Sequence, residues 1–266
     1  MAYAAALPCL AAALDDPNRK YDGEVLCATM LLGHYESLDP SSSGWIRHAG
    51  GAANLMRLRG ASRSYESAFE YSMFLTCRSA IISQAIVLRE PCFLEEAGWQ
   101  SIPDGLIEFP LLPEDPQLYH EIFNCFASIP GLLAYFGPKS EAKAVALRLR
   151  MKEWYVRYTT AGSGKRKPVA AQLPGLTMDG LFDGYVFCDT LSATTIVAYY
   201  AYLILLNQVI DSNCGTNLYD EENDELATAI YKSADYCGQT GYCGIQTLRL
   251  TLPIAESIVN KALAIG

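Results

Sequence analysis

The stretch Gly33–Gly60, GHYESLDPSSSGWIRHAGGAANLMRLRG, decides the fold because it joins a helix end, a serine-rich turn and a complete second helix. The hydroxyls of Ser41–Ser43 can cap the second helix, whose first turn contains Trp45. Apolar residues then recur at the spacing of one helical face. Gly50–Ala53 leave one side of this helix almost bare, so that a neighbouring helix can approach closely. Two arginines follow in the last turn, and Gly60 stands where a helix stop is expected.

The rest of the chain shows the same helical spacing, interrupted by turns rich in proline and glycine. No alternating run demands a sheet, and there is no repeat and no heptad pattern. The sequence therefore predicts an all-α fold, a single compact bundle of about nine helices in one domain over residues 1–266. The predicted helices are Tyr3–Leu14, Gly23–Leu38, the helix that follows Ser43 and stops at Gly60, Tyr65–Arg89 with a short continuation over Cys92–Trp99, Pro116–Phe136, Ser140–Thr160, the helix from Asp189 through Ile210, Glu221–Tyr236 and Cys243–Ile265.

Single residues mark where several of these helices begin or bend. Asp22, Ser140 and Asp189 each stand at the start of a helix and are predicted N-caps. Pro8 and Pro130 lie inside predicted helices, where the missing backbone N–H favours a kink.

Three segments are predicted to be connections. Ser101–Asp115 contains three prolines and is the clearest linker. Ala161–Pro174 is flexible by composition, and its basic triplet Lys165–Lys167 is interpreted as a solvated loop. Asn213–Asn223 is polar and acidic, which is typical of a surface loop.

The composition limits the classes of function. A net charge of -9 argues against binding to nucleic acid or to an anionic membrane surface, because both need clustered Lys and Arg. The nine cysteines are odd in number and contain no CxxC pair, which favours reduced thiols in an intracellular protein. The apolar run Leu191–Ile210 contains polar residues and is interpreted as a buried helix rather than a membrane span.

The sequence predicts neither a metal site nor a cofactor. Its only histidines are His34, His48 and His120, and none of them belongs to an HExxH pattern. There is also no GxSxG, no P-loop and no GxGxxG motif, so no familiar catalytic set can be assembled.

A series of short motifs runs through the chain in a fixed order. Tyr35-Glu36, Trp45, His48, Gly51-Ala52, Leu55 and Arg59-Gly60 follow one another, flanked by Tyr3–Pro17 before them and by Ile129–Leu133 and Ser233–Pro253 after them. In this order they resemble the regulatory domain of fungal zinc-cluster transcription factors, over nearly the whole chain. The six-cysteine DNA-binding cluster of that family is absent, and so is a coiled-coil dimerisation segment.

The resemblance implies a helical regulatory domain without its DNA-binding module, which binds a small apolar metabolite or a protein partner. The alternative is a free-standing relative that has become a biosynthetic enzyme of the cyclase or isomerase type in fungal secondary metabolism. A start at Met1 and the missing cluster are what we expect of such a detached gene. A third interpretation is a pseudo-regulator that acts through protein contacts, and a homodimer is left open. The first interpretation implies a nuclear protein and the second a cytoplasmic one.

The sequence also predicts a ligand pocket between the helices, because polar side chains interrupt helices that should be central. Buried polar groups cost about 1–3 kcal/mol each unless they are hydrogen-bonded, so they are retained either as structural pairs or for a ligand. A packing role for His48, and a structural pair of Arg78 with Glu36 or Glu70, remain alternatives. The predicted lining residues are His34, Tyr35, His48, Tyr71, Arg78 and Tyr199.

Overall fold

The computed structural model describes residues 2–39, 43–101, 116–135, 137–161, 166–174 and 181–265. These residues form ten α-helices and one two-stranded antiparallel sheet, so the prediction of an all-α fold is confirmed. Their contacts cluster into two compact units, Met1–Pro113 and Glu114–Gly266. The assignment of the whole chain to one domain stays a prediction.

The unit Met1–Pro113 is built from successive helices that pack on their neighbours in sequence. Helix α1 packs on α2, α2 on α3, and α3 on α4. Its helices are α1 (Ala2–Asp15), α2 (Gly23–Glu36), α3 (Gly44–Arg59), α4 (Ala68–Leu88) and α5 (Ala97–Gln100), with single 3-10 turns at Ala61–Tyr65 and Phe93–Glu95. Pro8 lies within a continuous α1.

Glycines of α2 and α3 lie where these two helices pack against each other. A side chain at Gly33 of α2 would place its Cβ 3.0 Å from the Cβ of His48, so α2 and α3 cross with little space between them. A Cβ at Gly51 would lie 3.5 Å from the methyl group of Thr29, also on α2. Gly33 of α2 thus leaves room for His48, and Gly51 of α3 lies in ordinary contact with Thr29.

The end of α3 is held by a buried ion pair. Gly60 has a φ of 82°, a conformation that favours glycine, and it ends the helix as predicted. The side chain of Arg59 is 3% exposed and pairs with the carboxylate of Glu70. Its Nε also donates to the carbonyl of Tyr21 at 2.8 Å. The Arg-Gly motif thus locks α3 to the start of α4.

The unit Glu114–Gly266 surrounds one apolar helix, α8, which packs against α6, α7, α9 and α10. The Asp189 carboxylate accepts a hydrogen bond from the backbone N–H of Ser192 at 2.6 Å, which confirms the predicted N-cap. The elements of this unit are α6 (Pro116–Ala134), α7 (Pro138–Thr160), β1 (Val169–Pro174), β2 (Leu181–Val186), α8 (Thr190–Cys214), α9 (Asp220–Gln239) and α10 (Tyr242–Ile265).

The hairpin of β1 and β2 is the main departure from the predicted elements. Its register pairs Val169 with Val186, and β2 packs against α9. The prediction that Ala161–Pro174 is all loop is therefore wrong for β1, because pairing with β2 stabilises a strand too short to show alternation. Arg166 is also not solvated: it is 8% exposed and lies 4.9 Å from the centre of the Tyr158 ring.

Several predicted helix starts differ in detail. Asp22 and Ser43 occupy N-cap positions without a side-chain hydrogen bond to the helix, so they are not caps in the predicted sense. The helix predicted from Ser140 begins at Pro138, because proline is well suited to the first helical turn. Ser41, Ser42 and the linker after Ser101 lie outside the described residues.

Candidate functional site

The six residues predicted to line a pocket fall into separate parts of the structure. His34 and Tyr35 lie on α2 and His48 on α3, in the unit Met1–Pro113. Tyr71 and Arg78 lie on α4 of the same unit. Tyr199 lies on α8, in the unit Glu114–Gly266.

A cluster of polar and aromatic side chains forms where α1, α2 and α3 meet. The hydroxyl of Tyr3 donates a hydrogen bond to Oε1 of Glu36 and lies 3.4 Å from Nε2 of His48. The ring of Tyr3 stacks on that of Tyr35, with centroids 4.7 Å apart and planes inclined by 18°. We call these four residues, Tyr3, Tyr35, Glu36 and His48, the α1–α3 cluster.

The backbone positions the Glu36 carboxylate at the start of α3. Glu36 is the last residue of α2, and Gly44 is the first residue of α3. A side chain at Gly44 would overlap the Glu36 carboxylate, so glycine leaves the space that this group needs. A negative charge at a helix N-terminus is favoured by the helix dipole. The spacing from Tyr35-Glu36 to Gly44-Trp45 therefore has a geometric reason.

The electrostatics of the cluster favour a neutral imidazole beside a hydroxyl donor. Partial burial lowers the pKa of His48, and the nearby Arg47 lowers it further, while Glu36 acts in the opposite direction. The hydrogen bond to Glu36, with burial adding to it, raises the pKa of Tyr3. At neutral pH, His48 is consequently a neutral imidazole, and Tyr3 stays protonated with its one hydroxyl proton donated to Glu36.

His34 lies beside this cluster on α2 but has a different environment. Its side chain is half-buried, and burial lowers its pKa. Its backbone carbonyl accepts a hydrogen bond from the hydroxyl of Ser37 at 2.7 Å, which stabilises the end of the helix.

An open groove of about 430 Å³ borders the cluster. It is lined by Tyr35, Glu36, Leu38 and Asp39. Tyr35 is 58% exposed and Leu38 is 65% exposed, and Leu31, one turn earlier on α2, is 61% exposed. The groove therefore presents apolar side chains next to two carboxyl groups.

Tyr71 and Arg78 belong to the core of their unit rather than to this groove. Each is 2% exposed. The Arg78 guanidinium lies 5.1 Å from the ring centre of Phe74, which suits a cation–π contact. The ring of Tyr65 lies 5.6 Å from that of Phe74 and 6.0 Å from that of Tyr71. Glu70, a partner that the sequence suggested for Arg78, is bound to another arginine. A ligand-binding role for Tyr71 and Arg78 stays a prediction.

Tyr199 is part of an aromatic cluster in the unit Glu114–Gly266. It is 3% exposed and stacks on Tyr155, with ring centroids 4.7 Å apart. Burial raises its pKa, with the neighbouring Tyr155 adding to the effect. The hydroxyl of Tyr155 lies 3.1 Å from that of Tyr200. A ligand-binding role for Tyr199 stays a prediction as well.

A second polar group, in the unit Glu114–Gly266, was not foreseen from the sequence. Asn207 of α8 is fully buried, and its Oδ1 accepts a hydrogen bond from Nε of Arg148 at 2.7 Å. Its Nδ2 donates to Glu222 at 3.0 Å and to Asn223 at 2.9 Å. Lys152 donates to the other oxygen of Glu222 at 2.5 Å. We call these five residues the α7–α9 network.

Opposing effects act on the carboxyl group at the centre of the α7–α9 network. Burial alone would raise the pKa of Glu222, but hydrogen bonds from Lys152, Arg148 and Asn207 together hold it below its ordinary value. Glu222 is therefore a carboxylate that is already fully engaged by its neighbours.

Neither metal ligation nor disulfide formation is indicated in the part of the chain that the structure describes. Among those residues, no three His, Cys, Asp or Glu side chains are grouped so that they could hold a metal ion. All nine cysteines are free thiols, and burial raises the pKa of Cys77 to about 12. Cys77 is consequently a poor candidate for a nucleophile.

Among the residues that the structure describes, two helices, α4 and α8, are long and apolar enough to cross a membrane by length and composition. Half of the apolar window of α4 and 83% of that of α8 are buried within the protein. The core helix of a globular domain meets the same criteria.

Comparisons with known proteins bear on the part of the chain that contains the α1–α3 cluster. Residues 3–135, half of the chain, match the family described as the fungal specific transcription factor domain. An uncharacterized protein of Emericella nidulans is 34% identical over 115 residues, which is 41% of this chain and 24% of that relative. The match thus spans about a quarter of the relative's length. No solved structure matches the chain.

Proposed function

The chain belongs to the fungal specific transcription factor domain family, and we propose that it is a regulatory domain whose effector binds the groove beside the α1–α3 cluster. Family membership supports a regulatory kind of function and indicates an intracellular or nuclear protein. The net charge of -9 disfavours contact with DNA phosphates, so DNA recognition lies outside the function proposed for this chain.

The observation that carries this proposal is that residues within the region matched by the family come into contact with one another beside an exposed groove. Tyr3, Glu36 and His48 come from three helices within the matched region and converge on one hydrogen-bonded cluster. Tyr35 and Leu38 remain exposed beside it, and exposed apolar groups that adjoin polar ones mark interaction sites. The lowered pKa of His48 supports the same assignment.

The lining of the groove indicates the chemistry of the effector. Tyr35, Leu38 and the neighbouring Leu31 suit an apolar body. Glu36 and Asp39 suit a hydrogen-bond donor or a positive charge at one end of that body. A small apolar metabolite with such a group, or an equivalent side chain of a protein partner, meets both conditions.

A reporter assay tests the proposed function. The chain is fused to a heterologous DNA-binding domain and a transcriptional activation domain in a filamentous fungus, and reporter output is measured for Tyr35→Ser and Leu38→Ser. Leu58→Ser is the matched control, because Leu58 is 68% exposed and does not line the groove. We expect the groove variants to change the regulated output about fivefold or more, since coupling energies of 1–3 kcal/mol are typical of effector sites. Groove variants that behave like Leu58→Ser would contradict the proposal.

Acid/base catalysis, of the kind that an isomerase or cyclase needs, is a second candidate function. The specific observation that favours it is the approach of the Tyr3 hydroxyl to the neutral imidazole of His48 beside the groove. A tyrosine hydroxyl and a neutral imidazole can each transfer a proton to or from a bound substrate that lies within hydrogen-bond reach. No covalent step is required of the protein.

Base-catalysed opening of 5-nitrobenzisoxazole tests this second candidate, because the reaction needs only a base next to an apolar surface. Catalysis by His48 predicts a rate above that of buffer that is lost in His48→Gln and retained in Leu58→Ser. A rate equal to that of buffer, or one that is unchanged in His48→Gln, would argue against acid/base catalysis at this site.

A further inference from the structure

Helix α1 carries two apolar seams, of which only one is covered by its own unit. The inner seam faces α2 and is buried or half-buried, whereas the outer seam is exposed to solvent. Both seams have the alternating three- and four-residue spacing with which helices pack on one another. The inner seam consists of Tyr3, Ala6, Leu10 and Ala13, and the outer seam of Ala4, Leu7, Ala11 and Leu14.

The outer seam itself contains no charged residue, although the protein as a whole is acidic. No charged residue occurs between Ala2 and Leu14, and the first is Asp15. Leu7 is 39% exposed and Leu14 is 38% exposed. Because the chain has a net charge of -9, two copies repel one another over most of their surfaces. Residues 2–14 of α1 add no side-chain charge to that repulsion.

The order of large and small residues makes the outer seam complementary to itself. In an antiparallel pair of α1 helices, Leu7 of each copy meets Ala11 of the other. Leu14 of each copy likewise meets Ala4 of the other. Each leucine then packs against an alanine that leaves space for it, which allows close approach of the helices. A two-fold axis requires this kind of self-complementarity.

The charges at the ends of α1 favour the antiparallel arrangement over the parallel one. Asp15 closes the helix, where its negative charge opposes the helix's own dipole. In an antiparallel pair, Asp15 instead lies beside the N-terminus of the other α1, where the dipole favours a negative charge. The two dipoles also oppose each other, which is favourable.

We propose that this chain forms a homodimer in which the outer seams of two α1 helices pack antiparallel. Tyr3 lies on the inner seam, so its contact with Glu36 is retained in the dimer. That contact and the stacking on Tyr35 fix α1 on its own unit and present the outer seam outward. The dimer therefore does not depend on an effector in the groove.

The size of the contact sets the expected strength. A helix of 14 residues is about 21 Å long, and two such helices bury less than the 1,200–2,000 Å² or so of a standard interface. Association is consequently weak and depends on concentration, with a dissociation constant on the order of tens of micromolar.

Sedimentation equilibrium on the full chain tests this proposal, at concentrations from well below to well above that dissociation constant. The average mass is expected to rise from 29.1 kDa towards twice that value. Leu7→Glu places a charge in the seam and should weaken association about tenfold or more. Ala12→Glu is the matched control, because Ala12 is exposed on the side of α1 that faces away from both seams.

A paired substitution shows whether Leu7→Glu weakens association by disrupting the contact between the two helices or by unfolding α1. Adding Ala11→Lys to Leu7→Glu brings opposite charges together across the two-fold axis and should restore association towards that of the unmodified chain. Circular dichroism should show unchanged helix content in all three variants. A chain that stays at 29.1 kDa at the highest concentration would overturn the proposal, as would equal effects of Leu7→Glu and Ala12→Glu or a double variant no better than Leu7→Glu.

Discussion

The α1–α3 cluster and the α7–α9 network are each built around one glutamate, but they differ in burial: we call the network closed because its central amide is fully buried, and the cluster open because it adjoins an exposed groove. Glu222 accepts hydrogen bonds from three side chains, and Asn207 beside it is fully buried. Glu36 accepts from Tyr3, next to a Tyr35 ring that is 58% exposed and lines an open groove. The open cluster thus adjoins exposed surface at Tyr35 and Leu38 that a further molecule could contact, whereas the centre of the closed network is buried. We infer that the α7–α9 network stabilises the fold and that the α1–α3 cluster serves regulation.

The largest expected effect comes from opening the closed network. Asn207→Ala leaves the hydrogen-bonding groups of Arg148, Glu222 and Asn223 without their buried partner. The free energy of unfolding should fall by about 3 kcal/mol, measured by urea denaturation. Gln208→Ala on the same helix removes an amide outside the network and is the matched control. An equal loss in both variants would show that the network has no special role.

A smaller loss of stability is expected when the Glu36 carboxylate is displaced. Gly44→Ala adds a Cβ where that carboxylate lies, so Glu36 has to move and its hydrogen bond with Tyr3 is weakened. We expect a loss of about 1–2 kcal/mol in thermal or urea unfolding. Gly98→Ala is the control, because no atom lies within 4 Å of the added Cβ. A Gly44→Ala variant as stable as Gly98→Ala would mean that Glu36 is not held at this position.

The smallest expected effect is a dependence of stability on mild acid that arises from His48. The pKa of His48 is lowered in the folded state, so the unfolded chain binds a proton first as the pH falls. Stability is then fully present above the unfolded value of about 6.5 and decreases as the pH falls towards the folded pKa. His48→Gln should flatten this part of the profile of unfolding free energy against pH.

Two other residues, His34 and Glu222, also contribute to the dependence of the unfolding free energy on pH. His34 also has a lowered pKa, so His34→Gln should flatten the same part of the profile. The pKa of Glu222 is also lowered in the folded state. Its contribution to the free energy of unfolding is present above the ordinary glutamate pKa and is lost as the pH falls below that value, so it affects the profile only in stronger acid. A profile unchanged by both histidine substitutions would contradict the assignment of neutral imidazoles.

The sequence predicted the helices better than it predicted their polar contacts. Helical spacing, the cap at Asp189 and the stop at Gly60 are local signals, and each of them is confirmed. The β1 strand was missed because its six residues show no alternation, although Pro174-Gly175 and Asp179-Gly180 between the strands are turn signals in the sequence. Local patterns thus sufficed for the elements but not for pairings between them.

The candidate site was only partly predictable for the same reason. Tyr35 and His48 were found because short motifs single them out, but Tyr3 looks like one more residue of an apolar helix. Only its place at the start of a family motif could have drawn attention to it. Asn207 lies within an apolar run, and its partner Arg148 is 59 residues away in sequence. Contacts of this separation leave no local pattern to detect.

The most direct test of the central claim is one substitution made in both regions, with reporter output measured per amount of folded protein. Glu222→Gln removes a charge from the closed network, and we expect a loss of about 2–3 kcal/mol of stability with unchanged output per folded molecule. Glu36→Gln should cost less than about 1 kcal/mol but change that output about fivefold or more. If Glu36→Gln leaves the output unchanged, or if the two variants affect it equally, the regulatory role of the α1–α3 cluster is contradicted.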